Sequence, residues 1–285
     1  MYDGAMSLAA DTRMGRLELR VRDMGTLFDY YTKGIGLTPI SEEKGGATLG
    51  LHGTPVVRLT EAKDLRPAPR GSAGLFHTAV VYEQQAGLAG AIERMARHYP
   101  HTYTGAGDHL VSQAFYFTDP EGNGVELYHD RPREQWNWVG GQVQMDTLYV
   151  DPNEYMVTHL SDASHQEAKG ELGHVHLQVG DIPTARKFYV DDLGFDQTFL
   201  MRGQALFVSA GGYHHHMAMN VWNSRGANPR SSTLGMGVVD ILVPTKEELD
   251  TTAARLRGAG HQPTFDGQTL SVMDPWNNEI RLAVG

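Results

Sequence analysis

The sequence predicts an α+β fold of four βαβββ modules paired into two half-open barrels. Three observations predict it. Glycine is abundant, 33 residues in 285, and punctuates many short apolar runs, which is the pattern of numerous strands and tight turns. One strand–helix phrase returns 158 residues on, from Gly15 to Gly173. A second phrase returns at a spacing of 155, from Asp119 to Asp274.

The first module opens with Gly15-Arg16-Leu17-Glu18-Leu19-Arg20-Val21, which alternates like a strand. Its helix ends in Tyr30-Tyr31-Thr32-Lys33-Gly34-Ile35-Gly36-Leu37. The third module repeats this with the strand Gly173-His174-Val175-His176-Leu177-Gln178-Val179, and Phe188-Tyr189-Val190-Asp191-Asp192-Leu193-Gly194-Phe195 closes its helix. The second module has a strand over Gly74 to Val81 and a helix from about Gln85 to Arg97, and it finishes on Asp119-Pro120-Glu121-Gly122-Asn123-Gly124-Val125-Glu126-Leu127. The fourth has a strand over Leu234 to Pro244 and a helix from about Lys246 to Gly258, and it finishes on Asp274-Pro275-Trp276-Asn277-Asn278-Glu279-Ile280-Arg281-Leu282. One such module cannot bury both faces of its sheet, so modules must pair. The chain divides into an N-terminal half (1–133), a less regular linker (134–169) and a C-terminal half (170–285).

Composition narrows the function. Apolar residues make up 40% and charged residues 20%, as in globular proteins. Acidic residues outnumber basic ones 34 to 24, and the net charge of −10 argues against nucleic acid as the main partner. No apolar run approaches the ~18 residues of a membrane span. Met1 to Arg13 lacks a basic-then-apolar signal pattern, so the cytoplasm is the expected location. The chain has no cysteine, which excludes thiolate ligands and cysteine nucleophiles. Its 14 histidines supply the nitrogen ligands.

The four-module layout resembles the vicinal oxygen chelate (glyoxalase-like) superfamily. The stretch from Gly107 to Glu126 resembles the signature of extradiol ring-cleavage dioxygenases in that superfamily: His109, then Tyr116 on a strand, then the turn Asp119-Pro120-Glu121-Gly122, then Glu126. The physical reading runs alongside. Glu126 enters a strand between Val125 and Leu127, and an acid facing inward there needs a cation or a donor to offset its desolvation.

The resemblance implies an Fe(II) site, with Mn(II) as its alternative, held by His77, His174 and Glu126. Two His and one carboxylate leave adjacent positions open, which suits non-haem iron. His176 shares a strand face with His174 and is either a rival ligand or a residue that supports the ligands from behind. The other modules lack the set. Arg16 stands for His174, Gly237 lies near the position of His77, and Arg281 stands for Glu126, with Glu279 two residues away. Better-known extradiol enzymes take all three ligands from their C-terminal half, and this chain departs from that pattern. Module two is therefore expected to pair with module three, and module one with module four; the alternative is a site shared between subunits.

In Tyr213-His214-His215-His216-Met217-Ala218-Met219, His215 best matches the family's catalytic His, and strand alternation sets His214 and His216 on the opposite face. His109 and Tyr116 match the family's other active-site His and its phenol. The implied reaction is cleavage of a catechol with O2 to a 2-hydroxymuconate semialdehyde. His215 would be the acid/base, and Tyr116 and His109 would donate hydrogen bonds to substrate oxygens. The stretches look most like bacterial catechol 2,3-dioxygenases, which implies a homo-oligomer that takes catechol-type substrates and needs neither nucleic acid nor membrane. The rival readings are a glyoxalase-type isomerase or thiol transferase, and a non-catalytic protein that binds aromatic ligands.

Overall fold

The computed structural model describes residues 7–285. Two eight-stranded sheets and one two-stranded ribbon make up its β structure. In each sheet the first strands of two modules meet antiparallel at the centre. Arg13–Val21 lies against Gly235–Val243, and Gly74–Tyr82 against Gly170–Gln178. In every module the last strand then runs parallel to the first, and the two middle strands continue outward antiparallel. Modules one and four thus form one curled sheet, and modules two and three form the other, within a single chain. This is the expected α+β architecture of paired half-barrels.

The strand pattern follows from two-residue alternation. Arg13–Val21 buries Leu17, Leu19 and Val21 and leaves Arg16, Glu18 and Arg20 on the opposite, half-open face. Each fully buried leucine contributes about 1.5–3 kcal/mol. These side chains belong to a continuous core that joins the sheets.

Helices tie modules across the two sheets. Asp23 caps Met24–Asp29 by accepting from the Thr26 N–H at 3.0 Å, and the helix widens into a π-turn over Tyr30–Ile35. Asp181 caps Ile182–Arg186 in the same way, and a π-turn follows over Lys187–Asp192. These wide turns aim two buried phenols at two buried acids. Tyr31 donates to Asp119 at 3.2 Å, and Tyr189 donates to Asp274 at 2.9 Å. Module one is thereby fastened to module two, and module three to module four.

The connection between the halves is structured. It carries the ribbon Trp138–Val139 with Gln142–Val143 and the helix Pro152–His159, which lies on the helix Gln85–His98. Leu148 bridges to Asp108 at the edge of the second sheet. Among the described residues, no helix is long and apolar enough to cross a membrane.

Candidate metal centre

The concave side of the module two–three sheet holds the chemistry. Ala79, on Gly74–Tyr82, is in register with Glu126 on one neighbouring strand and with His174 on the other. His77 precedes Ala79 by two residues and so projects from the same face. Three adjacent strands therefore aim His77, Glu126 and His174 into one space, and the small side chain of Ala79 leaves that space open. Two glycines permit the approach. A Cβ on Gly124 would meet the Phe76 carbonyl oxygen at 2.2 Å, and one on Gly173 would meet the Tyr128 hydroxyl at 1.8 Å. The glycines that frame Glu126 and His174 in the sequence thus have a steric cause.

The three donor atoms form a near-equilateral triangle. His77 Nε2 lies 2.9 Å from Glu126 Oε2, His174 Nε2 lies 3.3 Å from the same oxygen, and the two Nε2 atoms are 3.3 Å apart. Ligands about 2.1 Å from one cation stand roughly 3.0 Å apart at octahedral angles and roughly 3.4 Å apart at tetrahedral ones. The observed edges, 2.9 to 3.3 Å, agree with that interval to about 0.1 Å. All three residues are buried, and among the described residues they are the one group of three donors placed to hold a metal ion. Burial alone would raise the Glu126 carboxyl, but His174 and His77 outweigh it and hold the group well below the usual carboxylate range. Burial pulls His174 down to about 4, and Glu126 opposes this only in part. A carboxylate beside a neutral imidazole is the protonation state that a cation requires of its ligands.

His176 lies outside the triangle. It stands opposite His77 across the strands, and its Nε2 accepts from the Asn220 amide at 3.0 Å. His109 and Tyr116 form a pair. His109 Nδ1 lies 2.8 Å from the Asp146 carbonyl oxygen, and its Nε2 lies 2.7 Å from the Tyr116 hydroxyl. A carbonyl only accepts, so Nδ1 carries a hydrogen, and Nε2 and the Tyr116 hydroxyl share the second bond. His215 lines the cavity with its ring centre 4.1 Å from that of His174, and burial holds its imidazole well below the ordinary range. His214 and His216 do not follow strand alternation, because the run bends and its strand begins only at Met217.

In the fourth module, the register sharpens one position. His77 pairs with Gly124 as Val238 pairs with Glu279, so the counterpart of His77 is Val238, next to Gly237.

The cavity measures about 440 Å³. Phe76, Phe199, Phe207 and Trp222 wall it, and Met145 to Thr147 of the connecting segment close one side. The sequence reading missed these wall residues. Phe207 pairs with Ala218, which pairs with His176, which pairs with His77. That row exists only once the strands are in register. Two larger clefts, of about 790 and 810 Å³, lie elsewhere, and no comparable donor set lines them among the described residues.

A two-barrel chain with one His–His–Glu triangle in an aromatic cavity defines a class. The family model of the Glyoxalase/Bleomycin resistance protein/Dioxygenase superfamily matches residues 13–127 and 171–282, and the chain belongs to that superfamily. It is 35% identical over 280 residues to the catechol-2,3-dioxygenase of Bacillus subtilis (strain 168), covering 94% of this chain and 96% of that protein. Solved structures share the fold at low identity. A Bacillus subtilis subsp. subtilis str. 168 protein superposes with a TM-score of 0.64 at 14% identity, covering 95% of this chain and 84% of that one. Glyoxalase I from Zea mays superposes with a TM-score of 0.57 at 18% identity, covering 96% and 92%.

Proposed function

We propose that this protein is an extradiol dioxygenase that cleaves catechol, or an uncharged substituted catechol, with O2 to a 2-hydroxymuconate semialdehyde. The observation that carries the reading is the donor triangle of His77, Glu126 and His174 at the wall of a cavity large enough for one aromatic ring. The 35% identity to a catechol-2,3-dioxygenase along nearly the whole chain supports it.

His77, His174 and Glu126 would hold Fe(II) or Mn(II). When bound, that ion acidifies a coordinated catechol hydroxyl and brings the ring and O2 together. The chain's own residues do the rest. His215, buried beside His174 and neutral at rest, takes the substrate proton to become an imidazolium and then returns it. Tyr116 sits opposite Glu126 across the strands, and its oxygen, positioned by His109, meets the substrate oxygens. Phe76, Phe207 and Trp222 pack on the ring and exclude water.

The charge of the cavity points to the substrate class. Among the described residues that line it, none is Lys or Arg, and Glu126 and Asp146 are acidic. A carboxylated catechol would enter without a partner for its charge. The kcat/KM for 4-methylcatechol is expected to exceed that for a ring-carboxylated catechol by about 10-fold or more.

The deciding experiment loads the protein anaerobically with Fe(II), adds catechol and admits air. A yellow product with oxygen uptake is expected. Absence of both across a panel of catechols overturns the reading.

A further inference from the structure

Behind His215 lies a hydrogen-bonded chain that the proposed reaction does not itself require. His214 Nδ1 lies 2.8 Å from His215 Nδ1, and His214 Nε2 lies 2.8 Å from Asp130 Oδ1. Tyr213 donates to the other Asp130 oxygen at 2.8 Å, and the Tyr128 hydroxyl lies 2.7 Å from the Tyr213 hydroxyl. The His214 side chain is fully buried, whereas that of Asp130 is 24% exposed and lines the separate cleft of about 810 Å³. The Tyr213 ring lies 4.1 Å from the His214 ring, and the Trp136 ring lies 5.2 Å from it, so the imidazole has little freedom to turn.

Donor and acceptor chemistry orders this chain. The Asp130 carboxylate only accepts, so His214 Nε2 carries a hydrogen. The two Nδ1 atoms share one hydrogen, and placed on His215 it leaves His214 Nδ1 as the acceptor. His215, which lines the cavity, then keeps Nε2 as its lone pair. We propose that Asp130 and His214 are positioning residues that hold His215 in the Nδ1–H tautomer, so that its Nε2 meets the substrate hydroxyl as an acceptor. This role rests on the dioxygenase reading for its use in catalysis, but the tautomer itself is a property of the resting protein. A second ring standing between the acid and the reacting imidazole lets the carboxylate act without placing its charge beside Glu126.

The test separates the two claims. Full-length protein, ¹⁵N-labelled at histidine and loaded with diamagnetic Zn(II), gives the His215 tautomer by ¹⁵N–¹H NMR, with His215→Gln assigning the signal. Hydrogen on Nδ1 and a bare Nε2 are expected. Hydrogen on Nε2 overturns the proposal whether or not the enzyme reading stands. His214→Phe keeps a ring of similar shape and removes the acceptor. In this variant the Nδ1–H signal is expected to be lost and kcat to fall about 10- to 100-fold, with KM within about threefold and iron content unchanged. Asp130→Ala is expected to act in the same direction. Loss of the Nδ1–H form with kcat unchanged overturns the positioning role. A wild type inactive on every catechol refutes the dioxygenase reading and leaves the NMR result to decide the tautomer.

Discussion

His174 and His176 point from one strand face into one cavity, yet only His174 reaches Glu126. Cross-strand partners make the difference. His174 faces the methyl group of Ala79, which leaves room for a cation, whereas His176 faces the His77 ring and is held by Asn220. His174→Ala is therefore expected to abolish stoichiometric iron binding in metal analysis. His176→Ala is expected to keep the metal, with affinity weakened by no more than about 10–100-fold. Equal metal loss in the two variants would contradict the assignment. His77 and Glu126 were legible in the sequence because each sits in a distinctive local phrase, whereas the choice between His174 and His176 was not. Two residues on one strand differ only in what stands opposite, and the opposite strand lies about a hundred residues away.

At the scale of elements, the turns Asp119–Asn123 and Asp274–Asn278 act as paired fasteners. Asp119 accepts from the N–H groups of Glu121 and Asn123, from the Asn123 amide and from Tyr31. Asp274 repeats the set with Trp276, Asn278 and Tyr189. Removing Asp119 strands buried donors, so Asp119→Ala is expected to cost about 2–4 kcal/mol in urea unfolding. Burial raises the Asp119 carboxyl to about 6 against its neighbours' hydrogen bonds. A folded value above the unfolded one means that its stabilisation is full at acid pH and is lost as pH rises through about 6. The wild type should therefore lose stability relative to Asp119→Asn between about pH 4 and pH 7, by up to about 3 kcal/mol. A pH-independent difference between the two would remove Asp119 as the cause. The Asp-Pro turns were plain in the sequence, but their tyrosine partners were not, because no local pattern couples a helix end to a turn in the next module.

At the scale of the molecule, two similar barrels hold opposite charge arrangements. One sheet lines up His174, Ala79 and Glu126. The other places Asp240 between Arg16 and Arg281, with contacts of 3.1 Å to Arg16 and 2.6 and 2.8 Å to Arg281. A donor set that invites a cation has its counterpart in two cations that share an anion. One metal ion per chain is therefore expected in elemental analysis, and two would contradict this account. Asp240→Ala leaves the two guanidinium groups unpaired, but they are about a third exposed and solvent screens them. The expected cost is about 1 kcal/mol, with metal content and turnover unchanged.

The sequence by itself determined the four modules and their strand–helix–strand order, because repeats, alternation and turn chemistry are local. The ligand set implied by the family resemblance fell in modules two and three, and so led to the expectation that these two pair. Only the tertiary structure decided that they meet within one chain, that His174 and not His176 joins the triangle, and that Asp130 and His214 stand behind His215. Each of these depends on the register of strands distant in sequence, and register is set by packing over the whole sheet and not by any single segment.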